Sequence, residues 1–196
     1  SFSLYHVGAA VSELRWISPS EYVTVNSVAA DVPATWKFNP TLAIEAGSGS
    51  LQALSASRVQ ATSERTFNID GFVRGISFRV PINTVTLSIG FAAHPYSSFT
   101  IRFGISLDTV GRIRAIENEF TTDPIGAFSL NDEFELRLNE AFEFEIVRNG
   151  FILYTTTVSV SSEDEYPMVL ILDMSGAGAK VLDVRWIGSA HFEPER

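Results

Sequence analysis

From residue 72 onward, apolar and polar residues alternate with a period of two, a pattern that an extended strand with one buried and one wetter face can use and a helix cannot. In TVTLSIGFA (84–92), Val85, Leu87, Ile89 and Phe91 share a face opposite Thr84, Thr86, Ser88 and Gly90. In FTIRFGISL (99–107), Phe99, Ile101, Phe103, Ile105 and Leu107 oppose Thr100, Arg102, Gly104 and Ser106. EFELRL (133–138) sets Phe134, Leu136 and Leu138 against Glu133, Glu135 and Arg137. Strands with one polar face belong to antiparallel sheets rather than to parallel βαβ units.

The stretch FEFEIVRNGFILYTT (142–156) makes the same point with a turn in it. Phe142, Phe144 and Ile146 alternate with Glu143 and Glu145, and Asn149-Gly150 then supplies two residues that tolerate positive φ, the signal of a tight hairpin. A one-residue slip would bury both glutamates, so the register is pinned. The continuous apolar start of the second arm, Phe151 to Tyr154, predicts cover on both faces and a more central position, as does PMVLILD (167–173). Turns are expected at Asp70-Gly71, His94-Pro95, Val110-Gly111, Asp123-Pro124 and 175–178. KVLDVRWI (180–187) reads as the last strand, with Leu182, Val184 and Trp186 inward. EYVTVNSV (21–28), LAIEA (42–46) and LQALSASRV (51–59) are further strand candidates, and GSGS (47–50) is a turn. With no long helical pattern, the expectation is eleven or so strands in an all-β, two-sheet antiparallel jelly-roll sandwich over residues 21–188, with an arm at 1–20 and a tail at 189–196.

At 196 residues the chain suits one large β domain, which can bury enough surface to need no disulfide or metal staple, and it has no cysteine to make one. The formal net charge of −9, with the fourteen basic residues scattered, argues against a nucleic-acid partner. No apolar run approaches the ~20 residues of a membrane helix. The first sixteen residues lack a basic region ahead of their apolar patch and are not read as a secretory signal.

From about residue 22 to 187 the order of elements resembles the concanavalin A-like lectin and glucanase jelly roll, and more narrowly the laminin-G-like and SPRY-like modules of bacterial surface and phage tail or fibre proteins. The segments that carry the resemblance are GISFRV (75–80), TLSIGFA (86–92), FTIRFGISLDTVGRIRAIEN (99–118), FSLNDEFELRL (128–138), FEFEIVRNGFILYTT and YPMVLILDMSGAGAKVLDVRW (166–186). Asn131-Asp132, Asn149-Gly150, Leu153-Tyr154 and Tyr166-Pro167 stand where such modules turn or open a strand. The resemblance implies a sandwich and, at the coarse level, a module that binds carbohydrate or another cell-surface polymer. Its setting would be virion, extracellular or cell-surface, as a unit of a homo-oligomer among other virion or surface proteins. The alternative it implies is a structural assembly component that uses the sandwich for protein contacts.

Enzymatic activity is not expected. The hydrolase branch of that fold carries Glu-x-Asp-x-x-Glu, which places two carboxylates at glycosidase spacing on one strand face, and no such stretch is present. The pairs Glu133/Glu135 and Glu143/Glu145 alternate with buried-type residues and read as a solvated outer face. Ligand contact is expected at His94 and Tyr96, in the loop AAHPYSS between two strong strands, since such side chains offer an apolar body with a polar tip. Arg102, on the polar face of the strand that follows, and Trp36, in ATWKF, complete the candidate set. Trp186 shares parity with Leu182 and Val184 and reads as core. No cofactor is expected. Calcium takes six to eight oxygens, and the residues nearest to supplying them are Glu117 and Glu119 in AIENEF, with Asp173 or Asp183 at a rim.

Overall fold

A computed structural model describes residues 32–37, 39, 41–45, 48–67, 73–81, 86–93, 100–160 and 168–188. Within them the chain forms fourteen strands and no helix. The first seven are β1 (Val32–Pro33), β2 (Leu42–Ile44), β3 (Leu51–Ala53), β4 (Val59–Phe67), β5 (Val73–Arg79), β6 (Thr86–Ala93) and β7 (Phe103–Leu107). The rest are β8 (Arg112–Glu117), β9 (Phe120–Ala127), β10 (Glu133–Leu138), β11 (Phe144–Arg148), β12 (Phe151–Thr155), β13 (Met168–Ser175) and β14 (Lys180–Gly188). An eight-stranded sheet runs β12-β11-β10-β5-β14-β3-β2, with β1 also on β14, and a six-stranded sheet runs β4-β13-β6-β7-β8-β9. All pairings are antiparallel. The architecture is an all-β, two-sheet sandwich.

The alternation places one apolar face of each sheet against the other. Phe78, Phe134, Leu136, Phe144 and Ile146 from one sheet meet Phe67, Ile89, Phe91, Phe103, Ile105 and Leu170 from the other, all fully buried. Phe144 lies at the centre, with ring centroids of Phe103, Phe91 and Phe67 at 5.2, 5.3 and 6.1 Å. Trp186 is in this core, as its parity predicted, 6.3 Å from Phe91. A smaller cluster of Ala92, Ile101, Ile116, Val169 and Ile171 covers the opposite face of the six-stranded sheet, which is why β13 is buried on both sides.

The Asn149-Gly150 turn forms as expected, with φ of 50° and 82°. Its amide docks on the neighbouring turn: Asn149 Nδ2 donates to Asp132 at 2.8 Å and Asn149 Oδ1 accepts from Glu133 N at 2.9 Å.

Several expectations are corrected. β12 is an edge strand, not a central one, with Phe151 76% and Ile152 53% exposed. Asp123-Pro124 is no turn but part of β9, and a proline is tolerated there because β9 is an edge. The run 99–107 is not one strand: the backbone bulges as Arg102 N joins Phe103 in facing Phe91, and Ile101 turns to the outer face over Gly90 and Gly104. The neighbouring backbone and Ile101 leave no room for a larger residue, since a Cβ on Gly90 would lie 2.2 Å from Phe103 O and 2.6 Å from Ile101 Cγ2. The run 51–59 divides into β3 and the start of β4. Phe142 sits in the turn before β11 at φ 60°, not in the strand. In β14, Asp183 at φ 50° breaks the alternation, so Val181 rather than Leu182 joins Val184 and Trp186 inside. The candidates 21–28, 1–20 and 189–196 lie outside the described residues.

Candidate functional site

The register gathers several candidate residues at one rim of the six-stranded sheet. β6 ends there at Ala93, β7 begins at Phe103, and β8 ends at Glu117, the cross-strand partner of Phe103. Arg102 immediately precedes β7, half-buried, with its guanidinium carbon 5.7 Å from the centroid of the Phe103 ring. Its backbone joins the rim: Arg102 N donates to Phe91 O at 2.7 Å, and Arg102 O accepts from Glu119 N at 3.2 Å. His94 and Tyr96 fall in 94–99, outside the described residues.

Asn118 and Glu119 make the β8–β9 turn, both left-handed at φ 50° and 73°, as a two-residue hairpin of matching twist requires. The turn pairs Glu117 with Phe120, and directly paired residues project from the same side of the sheet. On that side Glu117 reaches across to the other sheet. Its carboxylate accepts from Tyr154 Oη at 2.6 Å, Thr157 Oγ1 at 2.8 Å and Val158 N at 2.6 Å. Burial works against the charge, yet these hydrogen bonds outweigh it and hold the Glu117 carboxyl below the usual carboxylate range. The same hydrogen bond pushes the Tyr154 phenol up to about 12, with burial adding to it.

Beside this clamp stands Phe120, a whole aromatic ring 76% exposed at the head of an edge strand. Asn118, Glu119, Thr121 and Thr157 are exposed around it and offer amide, carboxylate and hydroxyl groups. An open ring edged by such groups suits a ligand with an apolar face and a polar perimeter.

The other candidates go elsewhere. Trp36 is 5% exposed and its Nε1 donates to Gly49 O at 3.0 Å, so it has no ring face to offer a ligand. Glu117, Glu119 and Asp173 do not come together: Glu117 is engaged in the clamp, Glu119 is in the exposed turn, and Asp173 on β13 pairs with Arg58 and accepts from Gln60 at 3.1 Å. Asp183 pairs with Arg79. Among the described residues no three His, Asp or Glu side chains are placed to share a metal ion. Glu135 and Glu145 do lie on a solvated outer face, both bonded to Arg137 at 3.2 and 2.9 Å. On that face Ser77, Arg79, Glu133, Asp183 and Arg185 line a shallow depression of about 300 Å³, polar and without an open aromatic ring.

No protein-family model and no curated protein matches the chain. Solved structures do. The TRIM65 PSpry domain superposes with a TM-score of 0.55 at 14% identity, over 78% of this chain and 91% of that one. The Emp46p carbohydrate recognition domain gives 0.53 at 8% identity, over 81% and 89%. A structure described with endo-acting O-glycanases of the human gut microbiota gives 0.53 at 13% identity, over 84% and 97%. The fold is the concanavalin A-like jelly roll. At these identities the likeness concerns architecture, and one architecture hosts unrelated functions.

Phe120 and the partners of Glu117 were not found from the sequence. In IENEF the period of two groups Phe120 with Asn118, and only the two-residue turn sets it opposite Glu117. Tyr154 and Thr157 lie 37 and 40 residues from Glu117 in the chain, so nothing local announces the clamp.

Proposed function

We propose that this chain is a non-catalytic, saccharide-binding module whose rim holds a sugar ring against Phe120. The observation that carries the reading is the exposed Phe120 ring, set across the hairpin from the Glu117–Tyr154–Thr157 clamp. Aromatic rings pack on the apolar face of a sugar while surrounding hydroxyls and amides meet its rim. The jelly-roll neighbours include the Emp46p carbohydrate recognition domain, which supports the same reading.

A binding rather than catalytic role is favoured by the carboxylates. A glycosidase holds one carboxyl protonated near neutrality by raising its pKa. At this rim the Glu117 carboxyl is instead lowered, because the donors of the clamp outweigh burial. We place the module on an extracellular or surface assembly, of which a phage tail fibre is one kind. There a homo-oligomer multiplies weak sites into avidity.

A glycan array run with the wild type and Phe120→Ala tests the reading. The wild type is expected to bind one class of glycan and the variant to lose about tenfold in affinity, the equivalent of ~1.4 kcal/mol. Light scattering during size exclusion should give a mass above 21.5 kDa. Silence from every glycan, with a stable oligomer, supports the assembly role instead.

A further inference from the structure

Two edge strands of the sandwich, one from each sheet, run side by side. β12 ends the eight-stranded sheet and β9 ends the six-stranded one. The Glu117 clamp ties them at one end, where it bonds Tyr154, Thr157 and Val158. At the other, Arg148, the partner of Phe151, donates to Ala127 O, and a Cβ on Gly126 would lie 3.8 Å from Leu153 Cδ1. Together they form one continuous side wall.

Neither edge is built to accept another strand. β9 contains Pro124 and breaks register against β8 at Ile113/Arg114 and Arg114/Ile116. β12 slips register at Ile146/Val147, where Leu153 is the extra residue. Prolines and bulges are the devices by which edges avoid strand pairing. Strand addition therefore does not account for the apolar side chains the wall displays. Phe120 stands at one end of it, 76% exposed, and Phe151 and Ile152 at the other, 76% and 53% exposed. Seven residue steps along β9 separate the two ends, about 23 Å at ~3.3 Å per residue. Across β9 and β12 the one charged residue is Asp123, in a chain of net charge −9.

We propose that this wall binds an extended, uncharged polysaccharide, with Phe120 and Phe151 stacking on separate sugar rings. The proposal rests on the saccharide-binding reading of the rim and adds the ligand class: a neutral polymer rather than a terminal sugar. A single ring cannot span the distance between the two phenylalanines, and a short oligosaccharide can. The edge strands carry Asp123 and the rim adds exposed Glu119, while Arg148 is bonded to Ala127 O, so the wall, like the chain's net negative charge, repels an anionic polymer.

Native gels cast with laminarin, galactomannan, xylan or alginate test it, followed by calorimetric titration with oligosaccharides of the retarding polymer from disaccharide to hexasaccharide. One of the three neutral polymers is expected to retard the protein. Affinity is expected to rise with chain length and then level off. Phe151→Ala should weaken the hexasaccharide about tenfold and leave the disaccharide unchanged, whereas Phe120→Ala should weaken both. Both side chains are largely exposed, so folding is not at issue. Length-independent affinity with Phe151→Ala silent and Phe120→Ala still damaging overturns the polymer inference and leaves the rim reading standing. Retardation by alginate above the neutral polymers overturns the claim of an uncharged ligand. No retardation in any gel, with Phe120→Ala also silent on the glycan array, overturns both.

Discussion

Replacing Phe144 with Ala removes the ring at the centre of the sandwich. Phe144 is fully buried and faces three other rings at 5.2–6.1 Å, two contributed by β6 and β7 and one by β4. Truncating a buried Phe to Ala costs about 3–5 kcal/mol, and each favourable ring pair contributes ~0.5–1.5 kcal/mol beyond its buried area. With three such pairs lost and rigid strands on both sides that cannot collapse inward, the cost belongs at the upper end, about 5 kcal/mol. For a chain of this size that lowers Tm by about 10–20 °C. Urea unfolding followed by tryptophan fluorescence measures it, since Trp36 and Trp186 are buried reporters. Phe151→Ala is the internal control: a ring of equal size, 76% exposed, whose loss should stay within about 0.5 kcal/mol. A Phe144→Ala cost below about 1 kcal/mol, or equal costs for the two variants, would refute a core closed by the inward phenylalanines.

Two glycines separate backbone strain from steric clash. At Gly150, φ is 82° and a Cβ meets nothing within 4 Å, so Gly150→Ala should cost only the left-handed penalty of about 1–2 kcal/mol in the same urea assay. Gly90→Ala should cost more, because its Cβ collides with the backbone of Phe103 and Gly104 at 2.2 and 2.5 Å. The Tyr154 phenol gives a pH prediction. Its folded pKa of about 12 stands above the ordinary 10.0, so its contribution to stability is complete below pH 10 and is lost as pH rises through 12. Glu117, held low, contributes above its ordinary value of 4.5 and loses that contribution as pH falls through the folded value. Tyr154→Phe should therefore flatten stability between pH 10 and 12 and remove one late tyrosine from an absorbance titration; an unchanged alkaline profile contradicts the clamp.

The sandwich was legible because its signal is local: a period of two in Leu87–Phe91 and Phe134–Leu138, and Asn149-Gly150 between two strands, state face and register within a few residues. What was misread depends on position in the sheet. Phe151 and Ile152 look like a central strand by composition, yet strand order makes β12 an edge, and strand order is set by long-range pairing. Asp183 and Ile101 broke alternation through bulges that no residue type announces. The site was half legible. The acidic segment AIENEF reads as a metal candidate, but Glu117 is committed to Tyr154 of β12 and to Thr157 and Val158 just after it, and the open feature beside it is Phe120.

The rim can be tested directly by following amide chemical shifts while the saccharide selected on the array is titrated into labelled protein. Shifts concentrated on residues 118–121 and 151–158 are the predicted result. Shifts confined to Ser77, Arg79, Glu133, Asp183 and Arg185, on the far side of the eight-stranded sheet, would contradict it.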